Sequence, residues 1–464
     1  MSVETGRAAA HAEPAAVPVV LATAARFSFQ VLIVLIPFRA RLVLHPIRIE
    51  SLYSDFTDYI LFASDVFALL TLLLWAAQLI VLRRRPATGP WFVTWPLAGV
   101  LVIALISAFD SAAPAISWYH VARLAGLFGL YLFAVNTIES LETLIVPVAV
   151  MVAVQSVVAV AQFLLQRSTG LSFLGELALD PGMAGVSIVW APGIYSLRSY
   201  GLSDHPNILG GCLALGLILL LAAFARMPSR QRIVLFGVIV LGTLGLLYTF
   251  SRSAWLALAA GGLIVWITTW RFDRAGARQL FTLGMTAALV LLPFLLATAP
   301  YLGSRLGIGT EVRITDPELL SPENRSLAER AQLFAVANRM FVENPVTGVG
   351  LGAFSIALIE QLPDFEFDYQ PVHFVLLLVA AEIGLLGALT YSLAASFPWV
   401  ALWLARIDRS SSPDLYGASA ALAGVTVIGL FDYYPWFLPP GRLWHWIILG
   451  IWAAWYERRK LRHV

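Results

Sequence analysis

Residues that keep a protein soluble are scarce in this sequence. Only 12% of its 464 residues are charged, against ~25% in soluble domains, and 59% are hydrophobic. A soluble protein of this size needs more charged residues to cover its surface. The composition therefore indicates an integral membrane protein.

Cysteine and lysine are almost absent. The one cysteine, Cys212, lies in an apolar run, which excludes a disulfide within the chain and a cysteine metal site. Lys460 is the one lysine, so nearly all basic residues are arginines. The 30 basic and 28 acidic residues give a net charge of +2, and no nucleic-acid partner is expected. No His, Asp or Glu cluster has metal-ligand spacing, so neither a metal nor another cofactor is expected.

Long apolar runs fill most of the chain. A helix needs ~20 mostly apolar residues to cross ~30 Å of hydrocarbon. Twelve runs meet this need: 19–38, 57–82, 91–110, 116–137, 142–166, 206–225, 233–250, 253–270, 279–300, 372–405, 414–434 and 441–457. The run 372–405 is long, so it is either one tilted helix or a shorter helix broken at Gly384 and Gly387. The sequence predicts an all-α polytopic membrane protein with about twelve transmembrane helices.

Basic residues in short connections predict the orientation, because they concentrate on the cytoplasmic side. Five clusters fall on one side: Arg83 to Arg85, Arg226 to Arg232, Arg271 to Arg278, Arg406 with Arg409, and Arg458 to Arg462. Both termini are therefore expected in the cytoplasm. Arg39, Arg41 and Arg48 disagree, since they fall in the first external loop, where nearby acidic residues offset them.

This topology divides the chain into five parts. They are a disordered cytoplasmic tail (1–18), transmembrane helices one to nine (19–300), a large external loop subdomain (301–371), transmembrane helices ten to twelve (372–457) and a basic cytoplasmic tail (458–464). In the loop, Ser321-Pro322-Glu323 predicts a helix start, with serine as cap and proline at the first position. That helix is expected to reach about Glu343 and to stop before Pro345.

Other features of the large loop are weaker signals. The run Gly348-Val-Gly350-Leu-Gly352 follows no predicted strand and lacks a phosphate-loop lysine, so it predicts a tight turn. Acidic residues balance the five loop arginines, which predict mostly a solvated face. These arginines are Arg305, Arg313, Arg325, Arg330 and Arg339.

Arg252 is the clearest charge at membrane depth, where ionisable residues are functional candidates. It follows Ser251 between two apolar spans, with no acidic residue nearby. One interpretation is an arginine that extends to the external headgroups. The other is an anion site facing an external cavity, because the guanidinium matches phosphate with two parallel hydrogen bonds.

A second signal is the segment Arg198-Ser-Tyr-Gly-Leu-Ser-Asp204-His205-Pro-Asn207, at the mouth of a span. It is either a loop whose Asp204 and Asn207 cap the next helix or an anion site, and the two are compatible. A functional role is favoured for Arg198 and a structural one for His205.

His373 enters a late span, and Glu382 follows nine residues later. Such a spacing places the two on opposite faces of a regular helix, so a direct pair needs a break. Glu366 and Asp368 are alternative partners, and a purely structural histidine is the simpler interpretation. Arg123 inside a span and Asp432 near another either line a cavity or pair with each other.

Together these motifs resemble the O-antigen ligase and polymerase superfamily. The resemblance rests on the segment from Arg198 to Asn207, the pair Ser251-Arg252, the run Glu343-Asn-Pro-Val-Thr-Gly-Val-Gly350, and His373 followed by Gly384 and Gly387. It covers roughly residues 195–390. It implies a mostly helical membrane glycosyltransferase of the GT-C class, acting on the periplasmic face of the inner membrane without a metal and with inversion.

The resemblance also implies substrates and roles. The donor is a glycan on undecaprenyl pyrophosphate, and a ligase transfers it to lipid A-core. By motif, Arg198, Arg252 and Arg330 hold the donor pyrophosphate, and His373 orients the acceptor hydroxyl or takes its proton. Asp204, His205, Glu382 and Arg325 are possible supporting residues. The spacing from His373 to Gly384 favours a ligase, although ligases often place a small polar residue where Phe374 stands.

Two other functions stay open. A polymerase shares the pocket and differs in its acceptor, which is another lipid-linked repeat. A transporter for an organic anion or bicarbonate is the alternative from another class. The sequence shows no inverted repeat and no matching pair of broken spans, which disfavours a transporter.

Overall fold

The chain folds into a bundle of membrane helices with two short hairpins. A computed structural model describes residues 16–191, 193–306, 322–404 and 413–461. Its α-helices are α1 (Ala16–Leu35), α2 (Ser54–Thr57), α3 (Ala63–Leu82), α4 (Trp91–Ser107), α5 (Pro114–Thr137), α6 (Glu142–Leu165), α7 (Pro206–Phe224), α8 (Ser229–Tyr248), α9 (Arg252–Phe272), α10 (Arg274–Ala297), α11 (Ala299–Arg305), α12 (Pro322–Glu343), α13 (Phe354–Gln361), α14 (Val375–Leu404), α15 (Pro413–Gly429) and α16 (Pro439–Leu461). Short 3-10 helices span Ala108–Asp110 and Ser172–Leu174.

This architecture confirms an all-α polytopic membrane protein. Each predicted span coincides with a helix. Among the described residues, ten helices are long and apolar enough to cross a membrane: α1, α3 to α10 and α14. Helix α15 has 17 residues, and α16 carries Arg442 and His445 within its apolar stretch. Both are largely buried by other helices, so whether they cross the membrane stays a prediction.

Two antiparallel hairpins were not predicted. Strands β1 (Arg41–His45) and β2 (Tyr59–Phe62) pair in the first external segment, and strands β3 (Ile188–Ala191) and β4 (Ile194–Leu197) pair just before α7. Each strand has only four or five residues, too few for a clear alternation of apolar and polar side chains. The second hairpin delivers the chain to Arg198.

Helix α14 is broken at Gly384, which confirms part of the broken-helix alternative for the run 372–405, whereas Gly387 stays helical. Ile383 and Gly384 leave the helical conformation, and Gly384 has a φ of 71°. The backbone of the glycine run fills the break: the Gly350 amide donates to the Glu382 carbonyl at 2.9 Å. A Cβ on Gly384 would lie 2.2 Å from the Val346 carbonyl oxygen, so only glycine fits there. The predicted tight turn of the glycine run is confirmed.

The loop helix is also confirmed over Pro322–Glu343. Its predicted cap, Ser321, lies outside the described residues, as does nearly all of the predicted N-terminal tail. Residues 16–18 of that tail belong to α1. In the C-terminal tail, residues 458–461 continue α16, and the rest lies outside the described residues.

The two ends of the bundle hold different groups of polar residues. At one end, Arg226 pairs with Asp414 at 2.5 Å and Arg232 donates to Gln279 at 2.6 Å. These contacts join the end of α7 to α15, and the start of α8 to the start of α10. The opposite end gathers the start of α7, the end of α8 and the start of α9. The motif residues lie there.

Candidate active site

Two buried glutamines of α6 hold the loop that carries Arg198. Gln162 accepts hydrogen bonds from the amides of Tyr200 (3.0 Å) and Gly201 (2.8 Å), and Gln155 accepts one from Leu202 (2.9 Å). A spacing of seven places both glutamines on one face of α6. Gly201 has a φ of 58°, and a Cβ there would lie 2.5 Å from the Gln155 oxygen. The loop is therefore rigid, and Arg198 leaves it in a fixed direction.

Arg198 is buried, with 6% of its surface exposed. Its Nε donates to the Thr249 carbonyl at 2.8 Å, and its Nη2 donates to Asn207 Oδ1 at 2.6 Å. The side-chain amide of Asn207 in turn donates to Asp432 Oδ2 at 3.0 Å. A buried carboxylate thus supports Arg198 indirectly, through Asn207.

Arg252 and Arg305 lie beside this group. Arg252 is the first residue of α9, and its Nη1 donates to the Arg305 carbonyl at 3.3 Å. Arg305 donates from Nε (3.3 Å) and Nη2 (3.1 Å) to the Phe250 carbonyl. Because Phe250 directly follows Thr249, the guanidinium groups of Arg198 and Arg305 bind neighbouring carbonyls, and that of Arg252 joins them through the Arg305 carbonyl.

The charges of this cluster repel each other. Burial, followed by the charge of Arg305, lowers the pKa of Arg198 well below its usual value, and Arg252 adds to this shift. The start of α9 contributes further positive potential through its backbone amides. Such a cluster is stabilised by an anion, and three guanidinium groups suit a phosphate-bearing ligand.

His205 caps α7, which agrees with the structural role favoured from the sequence. Its Nδ1 accepts a hydrogen bond from the backbone amide of Asn207 at 3.1 Å, and its Nε2 lies 3.1 Å from Ser187 Oγ. Burial and the charges of Arg198, Arg305 and Arg330 lower its pKa to about 3. The interpretation of Asp204 and Asn207 as the caps is wrong.

Asp204 instead faces the first external segment. It pairs with Arg39 at 2.7 Å and with Arg41 at 3.5 Å, and Arg41 also pairs with Asp55. Burial and the charge of Asp55 raise the pKa of Asp204, whereas Arg41 and Arg39 oppose this shift. Two of the arginines that disagreed with the predicted orientation are therefore engaged by carboxylates.

Arg330 and His373 complete the site from the other side. The charge of Arg330, on α12, acts on His205, His373 and Asp432, so it lies within electrostatic range of all three. The His373 ring packs edge-on against Tyr433, with centroids 5.1 Å apart. Its buried Nδ1 has no hydrogen-bond partner within the described ranges.

The electrostatic environment keeps His373 neutral. Burial lowers its pKa to about 3, with contributions from the charges of Arg330 and His205. At neutral pH the ring therefore carries a free lone pair. An arriving anion would offset the charge of Arg330, and the pKa of His373 would then rise.

Glu382 and Arg325 do not join this group. Glu382 accepts a hydrogen bond from Trp436 Nε1 at 2.8 Å, and its backbone carbonyl binds the glycine run, so it does not pair directly with His373. Arg325 lies over the Phe367 ring at 5.9 Å. Both residues contact structural neighbours, and Glu382 Oε1 has no hydrogen-bond partner among the described residues.

Arg123 and Asp432 do not pair with each other. Arg123 forms two 2.7 Å hydrogen bonds with Asp65, while Asp432 binds Asn207. The alternative in which these two residues pair is therefore wrong.

Sequence reasoning missed Arg305 as a site residue and did not connect Asp432 with Arg198. The sequence predicts that Arg305 belongs to a solvated face of the loop, whereas α11 ends at this residue beside Phe250. A signal for Asp432 was present, because a carboxylate between apolar spans needs a partner. That partner is Asn207.

No metal-ligand cluster is visible in the part of the chain that the structure describes, where no three His, Cys, Asp or Glu side chains lie close enough to hold an ion. Positive charge in the site comes from guanidinium groups.

Comparison with known proteins finds a similarity to one family over part of the chain. No curated protein matches the chain. A family model described as O-antigen ligase matches residues 237–392, a stretch that contains Arg252, Arg305, Arg330, His373 and the broken helix α14. The similarity to the O-antigen ligase superfamily that the sequence motifs predicted is thereby confirmed.

Proposed function

We propose that this protein is an O-antigen ligase. It transfers a polysaccharide from undecaprenyl pyrophosphate to a sugar hydroxyl of lipid A-core, as a membrane glycosyltransferase of the GT-C class. The observation that carries the proposal is the gathering of Arg198, Arg252 and Arg305 at the end of the bundle that also holds a neutral His373, with the charge of Arg330 acting on both His205 and His373.

The reaction follows from these groups. The acceptor hydroxyl oxygen forms a bond to the anomeric carbon of the donor sugar, and its proton passes to the His373 imidazole. The bond from that carbon to the pyrophosphate oxygen breaks, and the lipid pyrophosphate leaves with the electron pair. Attack opposite the leaving group inverts the anomeric centre.

Arginines stabilise the leaving group in this scheme. Negative charge grows on the pyrophosphate as the bond breaks, and guanidinium groups fixed in advance stabilise that charge without reorganisation. Arg198 suits this role because Asn207 and Thr249 fix its orientation. The proposed transfer therefore needs no divalent metal.

The distribution of basic residues supports a periplasmic site in the inner membrane. Arg226 and Arg232 lie at the end of the bundle opposite the arginine cluster, and positive residues favour the cytoplasmic side. The exposed residues Glu343 and Gln231, each replaced by cysteine, test this in intact spheroplasts. An impermeant maleimide should label position 343 and spare position 231, and the reverse would contradict the orientation.

A polymerase is the alternative within the same superfamily. It shares the donor site and the histidine, and it differs in accepting a second lipid-linked repeat. An organic-anion or bicarbonate transporter is a further alternative, which an arginine cluster would also suit. No contact in the described residues favours either over a ligase.

The experiment is a comparison of surface lipopolysaccharide from cells with and without the gene. A ligase predicts that long chains disappear from lipid A-core while lipid-linked polymer accumulates. Accumulation of single lipid-linked repeats would instead indicate a polymerase. Uptake of a radioactive anion into proteoliposomes above the level of empty vesicles would indicate a transporter.

A further inference from the structure

The first external segment, between α1 and α3, contains a pocket that the donor site does not use. Its volume is about 480 Å³, within the ~300–1,000 Å³ usual for small-molecule sites. We call it the hairpin pocket and define it by Val43, Ile47, Arg48, Ile49, Ser54 and Asp58.

The hairpin pocket is built in advance. Asp58 Oδ1 accepts hydrogen bonds from the Ile47 amide (2.9 Å) and from the Thr57 hydroxyl (3.2 Å), which closes the loop between β1 and β2. At the base of the hairpin, the Ala63 amide donates to the Ala40 carbonyl at 2.8 Å. A pocket with such internal bonds binds a ligand with little loss of conformational entropy.

The chemistry of the lining suits a sugar. Val43, Ile47 and Ile49 supply apolar surface for the face of a pyranose ring, and the guanidinium of Arg48 supplies donors for its oxygens. Arg48 is exposed and forms no ion pair with any residue in the described ranges. A purely hydrocarbon ligand would leave the Arg48 donors and the Ser54 hydroxyl unused.

The hairpin pocket adjoins the His373 side of the site. Tyr53 lies between the pocket residues Leu52 and Ser54. Burial and the nearby carboxylate of Asp368, in the segment that leads to His373, raise the pKa of Tyr53, so the two side chains are close to each other. Phe56 of α2 packs edge-on against Tyr433, with centroids 6.4 Å apart, and Tyr433 packs against the His373 ring.

The donor arginines Arg198, Arg252 and Arg305 lie on elements that do not line the hairpin pocket. The hairpin does contact the Arg198 loop, through the pairing of Asp204 with Arg39 and Arg41. Since His373 receives the proton of the acceptor in the proposed reaction, we assign a sugar bound on the Tyr433 side of His373 to the acceptor.

We propose that the hairpin pocket binds a sugar unit of the acceptor glycan next to the hydroxyl that reacts, and so determines which acceptor is used. This inference rests on the proposed glycan transfer. It assigns acceptor recognition to the first external segment, which lies outside the residues that match the family model.

Two changes test the proposal in the full-length protein reconstituted in liposomes. Arg48→Ala removes the guanidinium, and Ser54→Cys allows a bulky maleimide to block the pocket after folding. The native Cys212 is buried, so the label is directed to position 54. Arg230→Ala and labelled Ser229→Cys, both at exposed positions at the far end of the bundle, are the matched controls.

We expect Arg48→Ala and labelled Ser54→Cys to raise the acceptor KM about tenfold or more, since a hydrogen bond to a charged group is worth ~1.5–3 kcal/mol. The donor KM and kcat should stay within about twofold of the unmodified protein, and unlabelled Ser54→Cys should behave as wild type.

Two results would overturn the proposal. One is an acceptor KM that stays unchanged in both variants, and the other is an increase in the donor KM, which would assign the pocket to the donor glycan. If the wild-type protein itself transfers no glycan, the proposed function fails, and that outcome is distinct from an active enzyme whose pocket variants behave normally.

Discussion

Arg198 donates a 2.6 Å hydrogen bond to Asn207, and Asn207 donates a 3.0 Å hydrogen bond to Asp432. These three residues come from a loop, the first turn of α7 and the connection between α15 and α16. Arg198 therefore owes its orientation to a carboxylate that is distant in the sequence.

Replacing Asp432 should weaken the donor site without touching the ligand. Asp432→Ala leaves Asn207 without its acceptor, so Arg198 loses its fixed direction. We expect the donor KM to rise about tenfold to a hundredfold, the equivalent of one hydrogen bond to a charged group at ~1.5–3 kcal/mol. Asp432→Asn, which keeps the shape, should be less impaired. The exposed Asp364→Asn is the control and should behave as wild type.

Arg305 should matter as much as Arg252. Both belong to the cluster around Phe250, so Arg305→Lys keeps the charge but loses the planar fork. We expect a rise of about tenfold or more in the donor KM, again from the loss of a hydrogen bond to a charged group. Arg325→Lys, over the Phe367 ring, is the matched loop control. Equal behaviour of the two variants would return Arg305 to the solvated face of the loop.

The pH profile should depend on which substrate is limiting. In the free enzyme, burial and nearby positive charges lower the pKa of His373 to about 3, so kcat/KM for the donor should persist to low pH. Bound pyrophosphate offsets the charge of Arg330 and raises this pKa. A base works only above its pKa. The acidic limb of kcat/KM for the acceptor, measured at saturating donor, should therefore lie at a higher pH than the acidic limb of kcat/KM for the donor.

In that experiment, the titration of acidic groups in the site must be distinguished from the titration of His373. Burial raises the pKa of Asp204, so it can titrate in the same range. The two profiles should therefore also be recorded with Asp204→Asn. If the acidic limbs of the donor and acceptor profiles coincide in both the wild type and Asp204→Asn, bound pyrophosphate does not raise the pKa of His373, which would contradict the prediction.

Metal removal should leave transfer intact. Guanidinium groups provide the positive charge around Phe250, so we expect the rate in excess EDTA to stay within about twofold of the untreated rate. Loss of transfer in EDTA, restored by magnesium or manganese, would show that arginines alone do not stabilise the leaving group.

The spans and the turns were predictable because they depend on local sequence. Apolar runs defined the helices, and Ser-Pro-Glu and Pro345 bounded the loop helix that the structure shows over Pro322–Glu343. Gly384 marked the break of α14, since its positive φ is a local property. The glycine run was read as a turn for the same reason.

The contacts of the site were not predictable, because they join distant segments. The partners of Arg123 and Asp432 are fixed by helix packing, which a single sequence does not encode locally. Arg305 ends the short helix α11 at the start of a charged loop, whose composition resembles that of a solvated face. Its place beside Phe250 depends on how α11 packs against distant segments.

The central claim is a division of labour, in which arginines hold the donor pyrophosphate and His373 takes the acceptor proton. The most direct test measures donor affinity and transfer rate on purified Arg252→Lys and His373→Ala proteins, with one lipid-linked glycan and thermal unfolding as the folding control. We predict that Arg252→Lys weakens donor binding severely. His373→Ala should bind the donor normally while transfer falls by ~10²–10⁴-fold, the usual loss for a general base. Normal transfer by His373→Ala would contradict the account.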